Sequence, residues 1–103
     1  MYITDKERAI ISTFYSNLWT YGKEIMILKW DEEDQVVARF DTDFDDDNGY
    51  DMDDANYEEF NAFIFEAIQV FGNPPISLSS ADYFCVDYRN FPKEIIAAGK
   101  KIN

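Results

Sequence analysis

Apolar positions along the chain follow two periods, and the change between them marks the elements. Ile10, Ile11, Phe14 and Leu18, with Tyr15 and Trp19 beside them, recur at helical spacing and predict a helix over residues 5–20. Thr4-Asp5-Lys6-Glu7 before it matches the capping box, in which hydroxyl and glutamate satisfy orphan amides reciprocally. Gly22 is the expected left-handed stop, and the aromatic stripe is expected in the core. Residues 24–30 (EIMILKW) form a short apolar run bounded by turn residues and predict a strand. After the polar turn of Asp31, Glu32, Glu33 and Asp34, residues 35–44 alternate: Val36, Ala38, Phe40, Thr42 and Phe44 on one face, Val37, Arg39, Asp41 and Asp43 on the other. So short a connection predicts an antiparallel hairpin, with Phe40 and Phe44 inward and Asp41 and Asp43 in water.

Residues 45–54 are expected to be a loop, with a turn at Asn48-Gly49. Tyr57, Phe60, Ile64, Ala67, Ile68 and Phe71 then return to a helical stripe and predict a second helix over residues 55–71. Its acidic first turn suits a helix dipole, and Gly72-Asn73-Pro74-Pro75 ends it. Residues 76–80 are extended, residues 83–88 (YFCVDY) predict a strand, and residues 93–103 a tail with a short helical turn. The resulting order is α-β-β-α-β: an α+β, two-layer domain spanning residues 1–103, with an antiparallel sheet of three to four strands and two helices on one face.

Charge changes this picture most. Residues 31–60 hold fourteen acids against the single base Arg39, a local charge of −13 in a chain whose total is −12. The excess is therefore confined to one segment. The 47% apolar and 17% aromatic content belongs to a folded chain, not a disordered acidic tail. Direct nucleic-acid binding requires a basic footprint and is excluded, as is attraction to anionic membranes. No apolar run reaches the length of a membrane span, and the N-terminus lacks a signal-peptide layout, so the expected compartment is cytoplasmic. A lone Cys85 fits a reducing compartment.

Candidate chemistry is sparse. The chain has no histidine, no P-loop and no nucleophile elbow, so no catalytic residues and no cofactor are assigned. Cys85, without a histidine to activate it, is a small hydrophobe in a strand. The acids share one loop where water solvates them all, which disfavours carboxylate catalysis. An EF-hand register fails: Gly49 at the sixth position puts Phe44 first and Ala55 last, and starting at Asp43 puts Asn48 at the glycine position and Asp54 at the glutamate position. An irregular calcium site from Asp43, Asp45, Asp47 and Asp51 is the remaining metal alternative. Tyr50, Met52 and Tyr57 are interleaved with the acids, and aromatic or methionine anchors ringed by charge are what protein interfaces favour. The expected binding residues are Asp45, Asp46, Asp47, Tyr50, Asp51, Met52, Asp53, Asp54, Tyr57 and Glu58.

Residues 41–60, with DTDFDDDNGY followed by NYEEF, together with YFCVDYRNFP at 83–92, resemble small acidic immunity proteins of bacterial contact-dependent growth inhibition and other polymorphic toxin systems. The likeness covers about a third of the chain and transfers no individual residue. It implies a protein that binds and neutralises a cognate basic toxin domain. The implied toxin is a nuclease, with the acidic segment placed in or near its phosphate-binding active site. The same charge pattern leaves a DNA mimic, acting on a DNA-binding protein, as the second reading, and oligomeric state stays open.

Overall fold

The computed structural model describes residues 3–103. Among them are one helix, α1 (Asp5–Tyr21), and six strands: β1 (Ile25–Lys29), β2 (Gln35–Asp47), β3 (Glu59–Phe71), β4 (Tyr83–Val86), β5 (Glu94–Ala97) and β6 (Lys100–Lys101). The strands form one antiparallel sheet in the order β4-β3-β2-β1-β5-β6. The class is α+β as expected, but with one helix and more strands than the sequence suggested.

The first helix and the first hairpin lie where the pattern puts them. Ile11 and Phe14 are fully buried and Leu18 and Tyr21 pack beside them, against Met26, Leu28, Val36, Ala38, Phe63, Phe65 and Ile95 of the sheet. Burial of that stripe holds the helix, since a 17-residue helix is marginal in water by itself. At about 100° per residue, Trp19 lies roughly 120° from the centre of this stripe, and its side chain is 97% exposed instead of joining the core; Ile10 is also exposed. Two end signals act differently from expectation. The Thr4 hydroxyl donates to Glu7 Oε2 (3.0 Å) and makes no cap to the backbone, because Glu7 is buried and turned to β3, where its Oε1 accepts from the backbone N–H (3.2 Å) and side-chain amide of Asn61. Gly22 is right-handed (φ −60°), not left-handed; a Cβ there would come within 2.6 Å of the Leu18 carbonyl oxygen.

The segment expected to be the second helix is β3. Its aromatic and β-branched residues lose side-chain freedom in a helix and suit a pleated surface. What imitated a helical period is a bulge: Val37 pairs with Gln69 and Ala38 with Ala67, so Ile68 is an extra residue on β3. The helix-side series then runs Phe63, Phe65, Ala67, Val70, ending on a step of three, with Val70 exposed at the end of the strand. No helix dipole therefore acts on Asp53, Asp54, Glu58 or Glu59.

A second bulge, on β2, inverts the predicted faces of the acidic strand. Phe40 pairs with Phe65 but Thr42 pairs with Ile64, leaving Asp41 as the extra residue. Directly paired residues share a face. Asp43, opposite buried Phe63, thus lies on the helix side, and Phe44, opposite Ala62, on the other, where it is 39% exposed. A one-residue slip moves every following side chain across the sheet. Phe44 consequently stays out of the core.

Strand β4 keeps Phe84 and Val86 inward as expected, with Tyr88 beyond its end, and residues 76–80 form no strand. The tail holds a hairpin, not a helical turn: Ala97 pairs with Lys100 around Ala98 (φ 52°) and Gly99 (φ 76°). Two successive positive φ angles make the tight turn whose twist matches paired strands. Ile95 and Ile102 from this hairpin complete the core, and the Asn17 amide donates to the Ile102 carbonyl (3.0 Å).

Candidate partner-binding site

Beyond the Asp41 bulge, β2 runs on beside β3 as an acidic arm, residues 41–59, that itself adds no side chain to the central core, although the β3 residues it pairs with include the buried Phe60, Ala62 and Phe63. Asp41, Thr42, Asp43, Phe44, Asp45, Asp46 and Asp47 are all exposed. Their partners run from Ile64 to Glu59. The loop expected at 45–54 begins later, since Asp45–Asp47 are still paired, and covers residues 48–58. Asn48 closes its neck: its N–H donates to the Glu58 carbonyl (3.1 Å), its Oδ1 accepts from Glu58 N–H (3.2 Å), and its Nδ2 donates to the Asn56 carbonyl (2.7 Å). Gly49 follows at φ 86°, a value glycine adopts freely, so the Asn-Gly turn signal is confirmed.

The root of the arm is tied to the body through Glu58. Lys6 on α1 donates to Glu58 Oε2 (2.7 Å) and the Tyr88 hydroxyl donates to Oε1. These donors, Lys6 first, hold the Glu58 carboxyl below its ordinary range, while acceptance by the same carboxylate pushes the Tyr88 phenol up. Beside them Arg89 makes a two-pronged contact with Asp87 (2.8 and 2.9 Å) and stacks 4.1 Å from the Phe60 ring centroid. A depressed native carboxyl contributes stability above its unfolded value and loses it as pH falls through the lowered native value. Glu58→Gln is therefore expected to lower the melting temperature by about 4 °C at neutral pH. The gap should close progressively as pH falls below the usual glutamate range; a gap that is constant from pH 7 to pH 2.5 would show that the Glu58 charge does not hold the root.

The predicted binding residues separate into three groups. Asp45 and Asp47 lie on the helix side of the arm, and Asp46 on the opposite side. Tyr50, Asp51, Met52, Asp53 and Asp54 are exposed in the loop, with Tyr50 51% and Met52 78% accessible. Tyr57 and Glu58 are half-buried. The Tyr57 hydroxyl donates to Glu59 Oε1 (2.7 Å), a bond that pushes its pKa up to about 12, and Glu58 is occupied by Lys6 and Tyr88. None of the ion pairs among the described residues engages an acid between positions 41 and 54. Nor do three metal-ligating side chains converge among the described residues, because an extended strand sends alternate carboxylates to opposite faces. Burial pushes the half-buried Cys85 thiol up, away from reactivity. Sequence reasoning missed the structural parts of the site: the Lys6–Glu58–Tyr88 tie, which joins distant segments, and the placement of Asp43 beside α1, which the bulge decides.

The arm thus sets acids without an ion-pair partner among the described residues beside the exposed Tyr50 and Met52. The sequence model of one protein family, described as cognate immunity protein YxxD, matches residues 10–101. This chain belongs to that family. The match takes in residues 10–21 of α1 and every strand, so the arm lies within the immunity protein's family region, while Lys6 of its root lies just before it. No curated protein and no solved structure matches the chain. No helix among the described residues of this immunity protein is long and apolar enough to cross a membrane.

Proposed function

We propose that this immunity protein neutralises its cognate toxin by setting the acidic arm, residues 41–59, in or beside a basic active site, and that the toxin is a nuclease acting in the cytoplasm. The observation that carries the reading is the row of exposed carboxylates on an extended strand, free of internal ion pairs. Asp43, Asp45 and Asp47 follow one another on one face, at a strand repeat of about 6.8 Å for alternate residues. That interval is comparable to the separation of successive phosphates on a nucleic-acid strand. A site shaped to hold phosphates receives such a row without rearrangement.

The roles divide by chemistry. Asp45, Asp46, Asp47, Asp51, Asp53 and Asp54 steer the encounter, which complementary charge raises to ~10⁸–10⁹ M⁻¹s⁻¹ at low salt. Solvent-exposed ion pairs contribute only about 0–1 kcal/mol each, so Tyr50 and Met52 anchor the complex, with the half-buried Tyr57 adding to them and Glu58 fixing the arm's angle. A DNA mimic would use the same row of carboxylates; the family's cognate partner favours the toxin.

Exchanging Asp45, Asp46 and Asp47 together for Asn tests the reading. The association rate with the cognate toxin is expected to fall at least about tenfold at low salt, and its dependence on salt to flatten. Folding should be unharmed, because all three side chains are exposed. Stopped-flow mixing across a salt series measures both quantities. An unchanged rate and slope would remove the arm from the interface.

A further inference from the structure

We propose that the groove between α1 and β2 is a receptor for one arginine side chain of the toxin, with the Trp19 indole as its stacking wall and Asp43 as its counter-charge. The inference rests on the toxin-binding reading above and names a second, sidelong contact of the same interface. The groove holds about 440 Å³ and is lined by Tyr15, Ser16, Leu18, Trp19, Phe40 and Asp43.

Three observations converge on an arginine. The lining is mainly apolar, with the half-buried Tyr15, Leu18 and Phe40 along its floor, and such a floor suits the methylene stem of a long cationic side chain. Trp19 is 97% exposed, so its indole contributes almost nothing to the core of its own fold and offers a flat π-face to a partner. Tryptophan is the strongest aromatic partner for a cation, and guanidinium both stacks on it and pairs with a carboxylate. Asp43 supplies that carboxylate: the Asp41 bulge turns it to the helix side of the sheet, and no cation of this chain pairs with it among the described residues. The flanking acids Asp41 and Asp45 deepen the negative potential around the groove. A partner with neutral or acidic side chains would leave this carboxylate desolvated and uncompensated.

The probe is a blocked tripeptide, acetyl-Gly-Arg-Gly-amide, with its lysine and citrulline analogues as comparisons. The protein's two indole N–H groups report separately by nuclear magnetic resonance, because Trp30 donates to the Asn90 carbonyl (2.6 Å) and serves as an internal reference. The arginine peptide is expected to move the Trp19 indole resonance saturably, the lysine peptide to do so more weakly, and citrulline not at all. Asp43→Asn should abolish the shift. An equal response to citrulline, or none to arginine, overturns the proposal.

With the cognate toxin, Trp19→Ala is expected to raise Kd at least tenfold, chiefly by faster dissociation, with the helix signal in circular dichroism unchanged. If Trp19→Ala stays within twofold while the Asp45, Asp46 and Asp47 triple variant slows association, the arm reading stands and the arginine receptor falls. If the triple variant has no effect while Trp19→Ala weakens binding, the groove, Asp43 included, is the contact and residues 45–47 are not.

Discussion

Phe14→Ala is expected to lower unfolding stability by about 3–5 kcal/mol, the cost of emptying a phenyl-sized volume in a packed core. Phe14 is fully buried, and its ring meets four others: Phe63 at 5.1 Å, Phe91 at 5.6 Å, Phe65 at 6.1 Å and Phe40 at 6.5 Å between centroids. Its contacts with Phe63 and Phe91 are edge-on, at 81° and 64°, an arrangement worth about 0.5–1.5 kcal/mol per pair beyond area burial. It is the point where the only helix among the described residues locks onto β2, β3 and the segment after β4. Neighbours drawn from three separate elements cannot collapse into the space together. A small domain has about 5–15 kcal/mol in total, so the variant sits near the edge of folding, and its melting temperature should drop by at least about 12 °C. Urea unfolding followed by circular dichroism measures it. A loss below about 1.5 kcal/mol would mean that the helix does not pack through Phe14.

Gly72→Ala is the second large effect and acts through the backbone. Gly72 has φ 69°, a left-handed value that costs an alanine about 1–2 kcal/mol. A Cβ would also lie 2.3 Å from Asp34 Oδ1 and 2.5 Å from the Glu33 carbonyl oxygen. The end of β3 must therefore move away from the β1–β2 turn, breaking the bond from Asn73 N–H to Asp34 Oδ1 (2.8 Å). Strain and displacement together predict a loss of about 2–4 kcal/mol. Removing the Asp34 side chain as well should not restore stability, since the Glu33 carbonyl is backbone and the φ angle is unchanged. Full rescue by Asp34→Ala would show that a side-chain clash alone sets the requirement for glycine.

The helix, β1 and the first part of β2 were legible because each carries a single undisturbed period. Ile11, Phe14 and Leu18 keep 3.6; Val36, Ala38 and Phe40 keep 2. Each bulge destroys that clarity where it falls. Ile68 gives the inward residues of β3 a step of three, so Phe60, Ile64, Ala67 and Phe71 look helical though they come from both faces of a strand. Asp41 does the same to the acidic strand and sends Phe44 outward and Asp43 toward α1. No side chain at 41 or 68 announces an extra residue; the register across the pair decides it. The tail hairpin was not legible, because alanine at 98 is not a residue that favours positive φ and the strands of four and two residues on either side give too brief an alternation. For the site, composition located the acidic segment and the interleaved Tyr50 and Met52. Which of these residues point outward and which brace the arm depended on Lys6 and Tyr88, distant in sequence and without any local pattern.

The core is assembled from residues before Asp41 and after Glu59, and no buried hydrophobic residue lies between them. If the arm is the main recognition surface, as proposed, stability and most of recognition draw on separate stretches of the same chain. Under the proposed function, substitutions along the arm other than at Glu58 would change the charge pattern shown to a toxin while leaving the melting point close to where it was. A lineage of such proteins is free to follow a drifting toxin surface by trial of single residues, with no stabilising change required first. On that proposal the arm is the part of the molecule most free to evolve and the packed sheet its fixed mount.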